Sequence, residues 1–490
     1  MLKFNVKNKT LPQIYINIGA GLDIPTGTMV TGKMGETIIN GGLGKVVTMA
    51  GAGNTFKSTI EIYMMLSAAN KIKWTSPTAL TTYDTEINIS LDRLTYFANK
   101  FENFDEGVIK GNDPDWDITD KSLLPAEEWV NDLNTYAAAK AKDVKSKITL
   151  TAFKDPYSDN ALVVPTPTFA MIDSLSEFES SITVDMLSSD IESSSKNTYA
   201  MQQGKFKQMF LSTLPRLCNM SNTYLLATAH IGTKINMDTG PMAKYNVPTK
   251  KQQFLKKDDE VKGVSGKFFF LSNSGWYANT ASLLKNQSTK LPEYPEHKDD
   301  DHPTDLNIVK LTMLRSKNGS SGFTLELVVS QNHGVLPTIT EFHYVKTNGR
   351  FGIDGSLNNY HMVLYPDVNI SRTTVRAKTN ADPLLRRAIN ITSELLQLNT
   401  YQPYYRDIGL LCTPLELYTD LKEMGYDWNV LLQTREYWIP DQYSTDVIPF
   451  CSVMDLLKMR KGEYTPYWLD ADKKIKKAYA KLFNGNEDGK

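Results

Sequence analysis

Lys57 and Ser58 stand in the stretch GKVVTMAGAGNTFKST, residues 44–59, where a short apolar run meets a glycine-rich turn. A lysine followed by a hydroxyl residue, set between a strand and a helix, is the arrangement of a phosphate-binding loop. Backbone N–H groups of such a turn point inward at phosphate oxygens, helped by the positive end of the next helix. Lys57 would neutralise the phosphates, and Ser58 would place its hydroxyl on Mg²⁺. The candidate phosphate contacts are Gly51, Gly53, Asn54, Thr55, Phe56, Lys57, Ser58 and Thr59. One position departs from G-x-x-x-x-G-K-[ST]: Phe56 occupies the second glycine.

Further chemistry-bearing residues close apolar runs downstream. TALTTYDTE reads as a buried strand, Thr78–Tyr83, ending in Asp84-Thr85-Glu86. A carboxylate fixed at a strand end can orient and deprotonate a water in line with a terminal phosphate, which nominates Glu86. TPTFAMIDSLSEF reads as a strand ending in Asp173, an acid placed to hold a Mg²⁺-bound water. TYLLATAH reads as a strand, Thr223–Ala229, ending at His230. Residues 244–267 carry seven lysines and three acids, with Phe254 among them. Lysines contact nucleic-acid phosphates and aromatic rings stack on bases, so Lys250, Lys251, Phe254, Lys256 and Lys257 are candidate DNA contacts. LNIVKLTMLRSKNGSSGFTLELVVS reads as two antiparallel strands turning at Asn318-Gly319, with Arg315 and Lys317 beside the turn.

The Phe before Lys57-Ser58 and the Tyr83-Asp84-Thr85-Glu86 run resemble the phage UvsX-type strand-exchange recombinases, a branch of the RecA-like P-loop ATPases. Across residues 25–400 the family landmarks follow in order. The resemblance implies an α/β fold with a RecA-like ATPase core, a mainly parallel central sheet and a helical C-terminal region. It implies ATP and Mg²⁺ as cofactors, with Glu86 as the hydrolytic base and Ser58 and Asp173 at the metal. It makes His230 a sensor of the γ-phosphate, and the lysine-rich stretch the second DNA-binding loop. The polar residues 180–205, running on to Lys205 and Lys207, become the first such loop. Arg315 and Lys317 become cations that reach the ATP of a neighbouring subunit. The implied function is ATP-dependent binding of single-stranded DNA, with homologous pairing and strand exchange in phage recombination, repair and replication. The implied assembly is a homo-oligomer, filament or ring, served by a loading mediator and a single-strand-binding protein. A ring-forming replicative helicase uses the same core and is the main rival; a nucleotide-switched mediator is a more distant one.

The elements that must hold these residues divide into an N-terminal segment (1–44), an ATPase core (45–350) and a mainly helical part (351–490). The first has short strand-like pieces and no amphipathic helix. Residues 100–165 are charged and irregular and read as an insertion, with KITLTAF and ALVVP as a hairpin. Helical spacing beyond residue 350 predicts helices at Leu384–Leu396, Leu415–Lys422, Val453–Met459 and Ala471–Leu482, the last basic. A formal net charge of −1 provides no global field for nucleic acid, so any such surface is local. Cys218, Cys412 and Cys451 are too far apart for a disulfide framework or zinc cluster, which fits a reducing cytoplasm, that of the bacterial host for a phage protein. No run reaches membrane-spanning length.

Overall fold

The computed structural model describes residues 10–73, 78–110, 114–143, 148–181, 193–233, 253–256, 259–264, 267–297, 304–356, 358–401 and 408–483. Its centre is a ten-stranded mixed sheet. The strands are β1 (Val46–Gly51), β2 (Ala79–Asp84), β3 (Trp116–Asp120), β4 (Thr168–Asp173), β5 (Thr223–Thr233), β6 (Asp259–Val261), β7 (Ser274–Leu283), β8 (Leu306–Ser316), β9 (Thr324–Ser330) and β10 (Gly334–Val335). Their order across the sheet is β10-β9-β8-β7-β1-β5-β4-β2-β3, with β6 antiparallel to the end of β5. From β7 to β3 all neighbours are parallel, and β8 to β10 close one side as antiparallel strands.

Parallel strands are covered on both faces, so they read as continuous apolar runs. Every residue of β1 and β4 is buried. Helix α1 (Lys57–Lys73) follows β1 and is buried nearly all round, Ile60, Met64 and Ala68 included. The parallel register aligns Gly51 with both His230 and Ala278, and Asp84 with Asp173. The carboxyl ends of β1, β5, β4 and β2 therefore share one edge. In open α/β sheets that edge is where ligands bind.

Several expectations change. The charged stretch 100–165 is not merely an irregular insertion. It supplies β3 and a 17-residue helix, α2 (Ala126–Lys142). In β3 only Trp116 is buried, so an edge strand of this kind leaves no apolar pattern. The expected hairpin is present, with Ile148–Lys154 antiparallel to Ala161–Pro165. Lys205 and Lys207 are not in a loop: they lie on a long helix, α3 (Ser193–Ser221). Lys207 is buried and donates to the carbonyls of Ser176 and Gly263, so it is a tether rather than a free cation. Residues 182–192 lie outside the described part.

Beyond residue 350 the chain first forms a small sheet, Ile353–Gly355, Tyr360–Met362 and Tyr365–Ile370. The expected helices appear as Pro383–Thr400, Pro414–Glu423 and Val453–Arg460. The expected basic helix over 471–482 does not form; only Ala480–Phe483 is helical. Asp470 instead closes a turn by accepting the Lys474 N–H, and Leu469 bridges Ile475. Lys476 then donates to the Tyr467 carbonyl and Lys481 pairs with Asp446, at 2.6 Å in each case. No described helix is long and apolar enough to cross a membrane.

Core and C-terminal helices meet at a seam containing buried acids. Burial pushes the Asp23 carboxyl up to about 6 and those of Glu341 and Glu394 up to about 8. Their ordinary values are 3.8 and 4.5, so the folded chain holds more protons than the unfolded chain across the interval between. Stability contributed by these groups is present in acid and is lost as pH rises through the folded values. Each tenfold change in proton affinity is worth about 1.4 kcal/mol. The urea midpoint should fall between about pH 5 and about pH 8, and Glu341→Gln should flatten that fall. An equally steep decline in the variant would remove Glu341 from this account.

Candidate active site

The turn after β1 is open at Gly53. A Cβ on Gly53 would meet nothing within 4 Å. Gly51, by contrast, sits against Thr55 and Ala278, where a Cβ would approach Ala278 to 2.9 Å. Thr55 locks the turn by donating its hydroxyl to the Ala52 carbonyl at 2.8 Å. Asn54 and Phe56 have φ of 57° and 59°. Thus the position usually held by glycine keeps the left-handed backbone that glycine favours, although a phenylalanine stands there. That conformation costs a non-glycine residue about 1–2 kcal/mol. The half-buried Phe56 ring packs against the main core and offsets part of it. Phe56→Gly should therefore change stability by less than about 1 kcal/mol, while the β-branched Phe56→Val should lose about 2 kcal/mol or more. Urea unfolding of both variants checks this, and a valine variant as stable as the glycine variant would contradict it.

Lys57 is buried, and its ammonium donates to the Ala52 carbonyl at 2.7 Å. Burial pulls its pKa down, while Asp173, Glu86 and Glu61 oppose that pull. Ser58 hydrogen-bonds Asp173, and the Thr228 hydroxyl donates to Asp173 Oδ1 at 2.5 Å. Burial pushes the Asp173 carboxyl up against those two bonds. A hydroxyl and a carboxylate are the hard oxygen donors Mg²⁺ takes. Among the described residues no three His, Cys, Asp or Glu side chains cluster as a metal site. A Mg²⁺ at Ser58 and Asp173 would therefore need phosphate oxygens and waters to complete its shell, as this ion usually does.

Glu86 sits in the loop after β2. The Asp84 carboxylate accepts the backbone N–H groups of Glu86, Ile87, Asn88 and Ile89 at 2.9–3.0 Å and so shapes that loop. Ile87, a β-branched residue, is forced to φ 55° there. Thr85 ties the loop to β4, accepting from the Ser174 N–H and donating to the Ser174 carbonyl. Glu86 Oε1 meets His230 Nε2 at 2.5 Å, and Oε2 accepts from Asn88 at 3.1 Å. Burial alone would raise the Glu86 carboxyl, but the bond and charge of His230, with Ser174 and Asn88, hold it below its ordinary value. An ionised carboxylate has about four acceptor positions, so room remains for a water. His230 in turn reaches the lysine-rich region: its N–H donates to Ser176 Oγ, and its carbonyl accepts from the Lys262 N–H.

Some groups here were not nominated by the sequence. Glu61, one turn beyond Lys57, is fully buried with both carboxylate oxygens unpaired, and burial together with the Asp173 charge pushes its pKa well up. Beside Thr59 a cavity of about 720 Å³ opens, walled partly by Tyr96, Phe97, Phe101 and His333. Tyr96 Oη meets His333 Nδ1 at 2.6 Å, and His333 Nε2 meets Glu296 at 2.7 Å. Burial and the Lys100 charge hold the His333 pKa down. The neutral ring then accepts from Tyr96 and donates to Glu296. These partners lie 237 residues apart in the chain, which no local pattern reveals.

The remaining nominated residues lie elsewhere. Arg315 pairs in register with Gly275, near the amino end of β7 and three residues before Ala278, the residue aligned with Gly51. The Arg315 guanidinium faces the Phe270 ring at 5.5 Å. Phe254 is half-buried beside Gly322, and Lys256 is exposed. Lys250, Lys251 and Lys257 lie outside the described residues. No protein-family model and no curated protein sequence matches this chain.

Proposed function

We propose that this chain is an ATP-dependent, single-stranded DNA-binding recombinase with a RecA-like core, hydrolysing ATP on Mg²⁺ as it pairs and exchanges strands. One observation carries the reading: the glycine-rich turn with Lys57, the Ser58–Asp173 bond and the Glu86–His230 bond come together at one edge of a parallel sheet. Phosphates would displace the Ala52 carbonyl from Lys57. Ser58 and Asp173 would hold Mg²⁺, which neutralises charge on the transferring phosphate. Glu86 would orient and deprotonate the attacking water. The base of the nucleotide would enter the cavity beside Thr59 and stack on Tyr96. His230 couples Glu86 to Lys262, giving the nucleotide a route to the lysine-rich stretch and its DNA.

Arg315 and Lys317 would act on the ATP of the next subunit. Mixing Arg315→Ala protein with Lys57→Ala protein should restore part of the hydrolysis that each lacks alone, at mixed interfaces. Confirmed co-assembly without recovery would count against a role between subunits. Electron microscopy with ATP and single-stranded DNA tests the function itself. Helical filaments are expected, and closed rings would replace the reading with a helicase.

A further inference from the structure

A second cavity, of about 520 Å³, lies at the seam between the core and the C-terminal helices. It shares part of its wall, including Tyr63, Asn70 and Tyr437, with the cavity beside Thr59. Its charged lining is Lys71, Arg386, Arg387, Arg435, Glu341 and Glu436. Lys71 is 14 residues beyond Lys57 on α1, which places it about 21 Å along the helix from the phosphate loop.

Three of these cations are buried: Lys71 and Arg435 are 7% exposed and Arg387 is 4% exposed. Buried charges are normally paired with an opposite charge. Here, among the described residues, no carboxylate lies within ion-pair distance of any of the three. Lys71 donates to the Asn17 carbonyl at 2.9 Å. Arg387 donates to the Asn390 side chain and to the Cys451 carbonyl. Arg435 donates to the carbonyls of Ile448 and Tyr437, both at 2.6 Å. Arg387 Nε and one Arg435 terminal nitrogen have no partner at all. Those two nitrogens are sealed within the wall, so what the cavity lacks, among the described residues, is a carboxylate paired with its buried cations.

We infer that this cavity is a second anion site, distinct from the phosphate loop, which takes a phosphorylated small molecule. A phosphate carries roughly two negative charges near neutral pH, and a guanidinium fork matches its oxygens. The volume is that of an ordinary small-molecule pocket. The neighbouring acids do not remove the need for it. Glu341 and Glu394, raised to about 8 by burial, are mostly uncharged at neutral pH. That leaves Glu436 and Asp23 against three guanidinium groups and Lys71, whose pKa burial lowers while Asp23 and Glu436 oppose that pull. This site does not depend on the proposed recombinase function.

The test is calorimetry of the full chain with inorganic pyrophosphate at constant ionic strength. It is run in the Lys57→Ala background so that the phosphate loop contributes nothing. One saturable site is expected there, with no matching response to chloride. Adding Lys71→Met, which keeps length but removes charge, should weaken it at least tenfold. Adding Arg435→Lys, which keeps charge but removes the fork, should also weaken it. Thermal unfolding shows whether each variant folds, and the lysine variant decides if the arginine variant does not. No saturable binding in the Lys57→Ala protein, or unchanged binding in folded Lys71→Met protein, would overturn the inference.

Discussion

Lys57→Ala should lose ATP binding by a factor of about a hundred or more while the fold survives. Lys57 is buried at the mouth of the turn with a carbonyl as its hydrogen-bond acceptor. A charge-assisted hydrogen bond is worth about 1.5–3 kcal/mol, and the lysine also cancels phosphate repulsion. Alanine removes both and leaves the Ala52 carbonyl without this donor. Asp173, Glu86 and Glu61 would lose the nearby cation that opposes their mutual repulsion. Equilibrium binding of a fluorescent ATP analogue, alongside a urea titration, separates lost affinity from lost structure. A folded alanine variant that binds ATP at parental strength would mean that the turn is not a phosphate site.

Glu86→Gln should lower ATP turnover by about a hundredfold to ten-thousandfold, the range for a positioned general base. Glutamine keeps the shape and an oxygen that can accept from His230 or Asn88, but it cannot take a proton. Nucleotide affinity should hold, because Lys57, Ser58 and Asp173 are untouched. The variant should also keep hold of single-stranded DNA for longer, since its ATP-bound state no longer decays. Turnover and affinity measured on one preparation check the split. Parental turnover in Glu86→Gln would place the base elsewhere.

How much of this could be seen in the chain follows from what each element buries. β1 and β4 are covered on both faces, so their apolar runs stand out, and the residues that close them, Gly51 and Asp173, fall on the same edge of the sheet. By its sequence His230 follows a strand that ends at Ala229; β5 instead runs on to Thr233, with His230 inside it and level with Gly51. β3 was not legible, because an edge strand with one buried tryptophan carries no periodic signal. Lys207 read as a loop cation because burial of a lysine against two carbonyls is decided by tertiary packing. The 471–479 region has helical composition, but Lys473 at φ 63° belongs to a turn shaped by the Asp470 side chain. Tyr96–His333 and the unpaired arginines of the seam join residues far apart in sequence, so only the fold brings them together.

The most direct test of the central claim is steady-state ATP turnover by the full chain with Mg²⁺, with and without single-stranded DNA. Measurable hydrolysis that rises when the DNA is added, and that disappears in Glu86→Gln protein, is the predicted result. Hydrolysis that is absent under both conditions, or present and indifferent to Glu86, would contradict the account.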